Sequence, residues 1–351
     1  MRKLARIVQI DSILPHTNAD ALELAIIGGW QVIVKKDQFN SGDMAIYCEI
    51  DSFIPTKVAP FLTRDGHEPK LFKGVQGERL RSVKLRGELS QGLLISLDSL
   101  LHFINPHTTN LVVDDDDVTE LLGIQKWEIP ENPQLTGQAK GSFPSFIPKT
   151  DQERCQNLIK EIQQSFETEE VFEQTIKLDG SSMTVYCNNG EVGVCSRNQD
   201  LKINDENAEN SFIKTSFKTG IGTALSSLYV HLGRNLAVQG ELMGPGIQGN
   251  KENFTHHLFF IFDIFDIDTQ RYLLPEERYK CLNDLVVFGY TGNRVPTLGA
   301  CKLETSKIDE ILLAAEGPSL FANQREGIVY KSTTRDFSFK AISNKWLLKN
   351  E

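Results

Sequence analysis

The chain has 351 residues, of which 40% are apolar and 24% charged, and its formal charge at neutral pH is −10. This length gives a prior of two domains, and the composition is that of an ordinary soluble globular protein. No apolar run is long enough to cross a bilayer.

The N-terminal stretch MRKLARIVQIDSILP starts basic and soon turns polar and strand-like, so no signal peptide is expected. Residues 1 to about 110 read as all-β. LARIVQI, LELAIIGGWQVIVKK, DMAIYCEI and LLISL are runs rich in Val and Ile, divided by Gly, Asn, Asp and Pro. Short strands with turn signals of this kind suggest a small barrel. Asp114 to Thr150 reads as a connector, with breakers in PENPQ and GQAKGSFPSFIP and a short helix in VTELLGI. Thr150 to Glu153 has the pattern of a capping box. It precedes a helix with Leu158, Ile159, Ile162 and Phe166 on one face.

Strands EEVFEQTIK, MTVYC and EVGVCSR come next, the last two joined by Asn188-Asn189-Gly190, a hairpin turn. Helical patterns (TALSSLYVHLG, PEERYKCLNDLV, SKIDEILLAAEG) then alternate with strands (NLAVQGEL, LFFIFDIFDI, EGIVYK, FSFKAI). The second domain is therefore expected to be antiparallel α+β. GxxxxGK[ST] does not occur, so a P-loop nucleotide fold is not supported. The six cysteines form no CxxC pair and no zinc-finger spacing, and read as reduced thiols of a soluble intracellular protein. His256-His257 lacks a third ligand at zinc-site spacing and reads as surface.

Net charge argues against nucleic acid, but it is unevenly placed. Asp114 to Asp117 is one acidic run. Lys70, Lys73, Arg79, Arg81, Lys84 and Arg86 face only Glu78, a local basic stretch in an acidic chain.

Lys177-Leu178-Asp179-Gly180 ends a strand on a lysine. Alone this occurs by chance and describes a surface lysine before a turn. Further along the chain, in order, come Gln239-Gly240-Glu241, the aromatic strand to Asp263, Glu326 opening a strand, and Lys340 on another. Chemically these make a set. A lysine attacks phosphorus only as the free amine, and nearby positive charge, including a metal ion, favours that form. Asp179, Glu241 and Glu326 offer the hard oxygen atoms that such an ion takes. Lys331 and Lys340 are candidate cations for a leaving pyrophosphate. Phe260 and Phe262 share a strand face, either as core or as an adenine platform.

Lys177-Leu178-Asp179-Gly180, Ser196-Arg197-Asn198, Gly240-Glu241, Phe262-Asp263, Glu326-Gly327-Ile328-Val329 and Lys340 resemble motifs I, Ia, III, IIIa, IV and V of the covalent nucleotidyltransferases. DNA ligases, RNA ligases and mRNA capping enzymes make up that superfamily. The match covers roughly residues 145 to 345. Ser182 stands where DNA ligases and capping enzymes carry an arginine, and only eleven residues follow Lys340, too few for their C-terminal OB domain. KLDGSS, FPSFIPKTDQER and FKAISNKWLLK resemble the RNA ligase 2-like group. NADALELAIIGGWQVIV, SGDMAIYCEIDSFIP and KLRGELSQGLL resemble an OB-fold module, and the combination resembles the RNA ligase 5 class.

The resemblance implies an α+β chain with an N-terminal OB barrel and an antiparallel, ATP-grasp-like nucleotidyltransferase domain. The expected divisions are 1–115 for the barrel, 116–149 for a linker and 150–351 for the catalytic domain. It implies an ATP-dependent RNA ligase using Mg2+ or Mn2+. Lys177, Asp179, Arg197 and Lys340 would act in catalysis. Ile176, Lys177, Gly180, Arg197, Glu241, Phe260, Phe262, Lys331 and Lys340 would bind the nucleotide, and Asp179, Glu241 and Glu326 the metal. Motif V often has two lysines one residue apart; here Ile342 stands at the second place, so either Lys345 substitutes or Lys340 suffices. The expected substrate is RNA with 3′-hydroxyl and 5′-phosphate ends, as a nicked duplex, handled by a monomer without a membrane. With an OB barrel, the Lys70–Arg86 stretch reads as a phosphate contact. A DNA ligase, a capping-type enzyme and a non-catalytic OB-fold RNA-binding protein are the alternatives.

Overall fold

The computed structural model describes residues 3–102, 114–128 and 137–350. The chain divides into two compact units, residues 1–131 with 347–351, and residues 132–346.

The first unit is built of short strands: β1 (Ala5–Gln9), β2 (Ser12–Pro15), β3 (Leu22–Ile27), β4 (Trp30–Lys35), β5 (Met44–Cys48), β6 (Ser52–Pro55), β7 (Lys70–Phe72), β8 (Val75–Arg79), β9 (Ser82–Leu85), β10 (Glu88–Gln91) and β11 (Leu93–Ser96). Alternation sets the inward face. In β4, Trp30, Val32 and Val34 are buried, while Gln31, Ile33 and Lys35 are more open. Ile7, Ile46, Cys48 and Ile54 pack with Leu122 and Ile124. Leu122 comes from α1 (Thr119–Leu122), within the expected VTELLGI helix. The next strand, β12 (Gln125–Lys126), pairs with β6.

The second unit contains two antiparallel sheets. One is ordered β13 (Ala139–Ser142), β18 (Gln199–Leu201), β17 (Glu191–Cys195), β16 (Ser181–Asn188), β19 (Leu236–Met243), β20 (Leu258–Asp266) and β21 (Arg271–Tyr272), with β22 (Asn293–Arg294) parallel to β20. The other is ordered β14 (Glu153–Arg154), β25 (Ser338–Ile342), β24 (Gly327–Ser332), β15 (Val171–Lys177) and β23 (Thr297–Lys302), with β14 parallel to β25. Asn189 and Gly190 both take positive φ in the β16–β17 turn, as an Asn-Gly hairpin requires. Helices α3 (Ser211–Thr219), α4 (Ile221–Leu232) and α5 (Pro275–Val287) supply Ile213, Leu225, Leu228 and Leu285 to the core on the first sheet. Helices α2 (Ile159–Glu167) and α6 (Ile308–Ala314) supply Ile162, Ile311 and Leu312 to the core on the second, where Phe172, Tyr330 and Phe339 cluster. A last helix, α7, spans Asn344–Asn350.

Several expectations change. The capping box does not form: α2 begins at Ile159, and Glu153-Arg154 instead pairs with Phe339 and Lys340. The Thr150 hydroxyl bonds Ser182 Oγ at 2.8 Å, and Glu153 accepts from Asn157 at 3.0 Å. Strand pairing has outweighed a local cap. On α2, Ile162 is buried, whereas Ile159 and Phe166 are exposed. Within the expected connector, residues 125–126 pair into the first unit and Ala139–Ser142 joins the sheet of the second. The PENPQ breakers fall at 130–134, outside the described residues. The six cysteines are free thiols, and only Cys301 is exposed. No helix among the described residues is long and apolar enough to cross a membrane.

Candidate active site

The chain leaves one sheet at Lys177, the end of β15, and enters the other at Ser181, the start of β16. Leu178-Asp179-Gly180 is therefore the link between two sheets, and Lys177 stands where they meet. Lys177 pairs with Gly327 of β24, which brings the adjoining Glu326 within reach; Lys177 Nζ donates to Glu326 Oε2 at 2.7 Å. Ser182 pairs with Glu241 of β19. Glu241 Oε1 accepts from the Gly180 amide at 3.0 Å. Asp179 Oδ2 accepts from Lys251 Nζ at 2.5 Å.

Glycine is required in the link because of close approach, not φ. A Cβ on Gly180 would lie 2.5 Å from the Leu242 carbonyl oxygen and 2.8 Å from Glu241 Cγ. Gly180→Ala should push Glu241 off its amide, lower thermal stability by several degrees and impair nucleotide charging together, since overpacking costs about 1–3 kcal/mol. Melting and charging that both match wild type would contradict this role.

Burial alone would lower the proton affinity of Lys177, but Glu326, Glu241 and Asp179 override it and hold the amine above its ordinary pKa. Burial pushes Glu241 up to about 8; Lys177 opposes this, while Glu326 and Asp179 reinforce it. Glu326 is also raised, first by burial, with Lys177 and Lys340 pulling the other way. Three carboxylates thus surround Lys177, with Lys251 paired to Asp179 and Lys340 bearing on Glu326. Among the described residues no three acidic, histidine or cysteine groups converge tightly enough to form a ready metal cage. Glu326 is engaged by Lys177, Asp179 by Lys251 and Glu241 by a backbone amide. The hard oxygen set fits a divalent ion held in part through its waters.

The other sequence candidates fall along the same unit. Thr175 and Val329 pair directly, and Val329 also pairs with half-buried Lys340. A bulge in β20 sets Asp263 opposite Gln239 and Ile261 opposite Gly240, with Phe262 as the extra residue. Phe260 is buried with Ile176, Leu178 and Met243 and lies against Phe254 at 5.7 Å; Phe262 is only half-buried at the edge of that cluster. Phe260 is thus core.

Lys331 is buried, donates to Asp263 at 2.6 Å and to the Phe262 carbonyl at 2.6 Å, and sits 5.6 Å from the centre of the Phe262 ring. Burial lowers its pKa to about 8. Arg278 of α5 joins Asp263 to Glu173 of β15, so these charges tie the two sheets together. A cavity of about 290 Å3 opens there, lined in part by Thr150, Asp263, Arg278, Lys331 and Asp336.

Arg197 lies in the turn between β17 and β18 and donates to Asp151 at 3.0 Å. Lys345 is exposed and bonds Glu316 at 2.6 Å. Sequence reasoning passed over Lys251 and Arg278. Lys251 lies in a loop between two motifs, and Arg278 sits inside an ordinary helical pattern, so neither carried a signal.

A lysine at a sheet junction, ringed by carboxylates and accompanied by an aromatic strand, is the arrangement expected of a covalent nucleotidyltransferase. The RNA ligase family profile matches residues 170–344, and an OB-fold domain profile matches residues 4–97. Solved structures of a Naegleria gruberi RNA ligase are similar along almost the whole chain. The form with PPi is 42% identical, covers 99% of each chain and superposes with a TM-score of 0.88. A point variant with AMP and Mn gives the same identity, coverage and TM-score. Another variant, with ATP and Mn, is 42% identical over 99% of this chain and 98% of that one, with a TM-score of 0.87. No curated protein matches. The chain belongs to the RNA ligase family and is an ATP-dependent RNA ligase with an N-terminal OB fold.

Proposed function

We propose that Lys177 is the residue that carries AMP, and that the enzyme seals 3′-hydroxyl/5′-phosphate nicks in duplex RNA as a monomer. The observation that carries the nucleophile is the position of Lys177 at the sheet junction, 2.7 Å from Glu326 and within the field of Glu241 and Asp179. The free amine attacks the α-phosphorus of ATP. A P–N bond forms, the α–β bridging P–O bond breaks, and pyrophosphate leaves. The proton that the amine must lose lies on the hydrogen bond to Glu326. The 5′-phosphate of RNA then attacks the same phosphorus, the P–N bond breaks, and AMP passes to the RNA end. A 3′-hydroxyl attacks that activated 5′-phosphate, AMP departs, and a phosphodiester forms.

Asp179, Glu241 and Glu326 are the residues that would hold Mg2+ or Mn2+, directly or through water. The ion supplies positive charge that favours the free amine and offsets the triphosphate. Phe262 stacks on adenine at the half-buried edge beside Ile176. Lys340, close enough to bear on Glu326, grips phosphate. Arg197 contacts the ribose or the RNA end. Lys331 supports Phe262 through Asp263 rather than meeting phosphate, because its ammonium is buried and paired. The OB-fold domain lies within residues 1–131 and the catalytic domain within 132–346, since Gln125–Lys126 pairs into the first unit and Ala139–Ser142 into the second.

A panel of nicked RNA duplexes, bulges and single strands with matched ends tests the substrate class. The nicked duplex should seal fastest. Faster sealing of single strands would reject the nick as substrate.

A further inference from the structure

Lys251 has no part in the chemistry above, yet it holds a carboxylate of the site. Its Nζ lies 2.5 Å from Asp179 Oδ2 and 4.5 Å from the centre of the Trp346 ring. The loop that presents it is built tightly. Gln248, Gly249 and Asn250 take positive φ in succession, as does Asn253. The Asn250 side chain accepts from the Phe254 amide at 3.1 Å and donates to the Phe254 carbonyl at 2.9 Å. The next residue after Lys251, Glu252, is buried and accepts from the Phe321 and Ala322 amides at 2.6 and 2.9 Å. Lys251 is thus fixed by its backbone, while its long side chain spans from the indole to the carboxylate.

The charges explain why the three carboxylates form no cage. Two ammonium groups form direct ion pairs with them: Lys177 takes Glu326, and Lys251 takes Asp179. A divalent ion that draws on Asp179 competes with the Lys251 ammonium for the same oxygen atoms.

We propose that Lys251 is a positioning residue that neutralises Asp179 in the nucleotide-free enzyme and gives it up when the metal enters with ATP. Its ammonium then leaves the Asp179–Trp346 position. The pairing suppresses metal binding without nucleotide and holds the Leu178–Gly180 link in place meanwhile. This inference rests on Asp179 belonging to the metal site, as in the proposed function.

The test uses the full chain without ATP and measures Mn2+ binding by electron paramagnetic resonance. Lys251→Met keeps the length of the side chain and removes the competing charge. It should bind Mn2+ about fivefold more tightly than wild type, the scale of a partly exposed ion pair. Lys251→Arg should restore weak binding. Mg2+ should change tryptophan emission in wild type and leave it unchanged in Lys251→Met, because only wild type has an ammonium to withdraw from Trp346. Equal Mn2+ affinity in wild type and Lys251→Met, or identical emission responses, would overturn the proposal. Asp179→Asn separates the two levels. If it binds Mn2+ as tightly as wild type, Asp179 lies outside the metal site and the metal assignment fails with the inference. If it weakens binding while Lys251→Met has no effect, only the role of Lys251 fails.

Discussion

Lys177→Arg is expected to abolish the covalent AMP adduct while leaving the protein folded. Arginine keeps the positive charge that Glu326, Glu241 and Asp179 require, but its guanidinium stays protonated and cannot attack phosphorus. Alanine is a poorer test. The Lys177 side chain is only 26% exposed, so its loss leaves Glu326 without its ion partner. An orphaned buried charge costs about 1–3 kcal/mol or more, so Lys177→Ala should melt earlier as well as fail to charge. The same electrostatics fix a pH dependence. The carboxylates hold the amine above its ordinary pKa, so charging should accelerate as pH rises through neutral. Glu326→Gln removes one of those carboxylates and should move this rise to lower pH, while reducing the maximal rate through loss of a metal-side group. A Glu326→Gln profile with the wild-type position and height would contradict the pairing. Adduct formation by Lys177→Arg at the wild-type level would remove Lys177 as the nucleophile.

The second large effect concerns RNA. Every residue assigned to ATP chemistry lies beyond residue 137, whereas the basic stretch lies before it. The structure narrows that stretch: Lys70 pairs with Glu78, Lys73 with Glu128, and Arg79 with Asp51. Lys84 and Arg86 are exposed on the β9–β10 hairpin, with Arg86-Gly87 at its tip. A cut at residue 145 would remove β13, which pairs with β18, so the informative deletion is 1–136. That protein should still charge Lys177 but lose at least about tenfold in sealing of nicked RNA, the scale of a few lost phosphate contacts. In the full chain, Lys84→Ala with Arg86→Ala should weaken RNA binding and reduce its salt slope by about 2. An unchanged slope, or a truncated protein that seals at the full rate at physiological salt, would take the hairpin out of RNA binding.

The motif strands were legible because their apolar patterns and turn residues agree with their tertiary roles. The Asn188–Gly190 hairpin and the barrel strands with Val-Ile alternation are cases of this. β23 was missed because TLGACK is exposed throughout, contains a glycine and carries no alternation. α3 was missed although Asn210 caps it and Gly220 ends it, since its apolar face is short. At the site, the order of the motifs carried the chemistry, but spacing could not show that β15 and β16 belong to different sheets. Nor could it show that Lys331 is buried against Asp263, that Phe260 is core, or that Lys251 reaches Asp179. Those are products of sheet pairing and of a bulge, set by contacts far apart in sequence.

Peptide mapping of the wild-type protein after incubation with ATP and Mg2+ or Mn2+ decides where AMP is held. A single AMP phosphoramidate is expected on the peptide containing Lys177, lost again when 5′-phosphorylated RNA is added. An AMP adduct on any other residue, or a protein that seals RNA without forming an adduct at Lys177, would contradict the assignment of the nucleophile and the covalent route built on it.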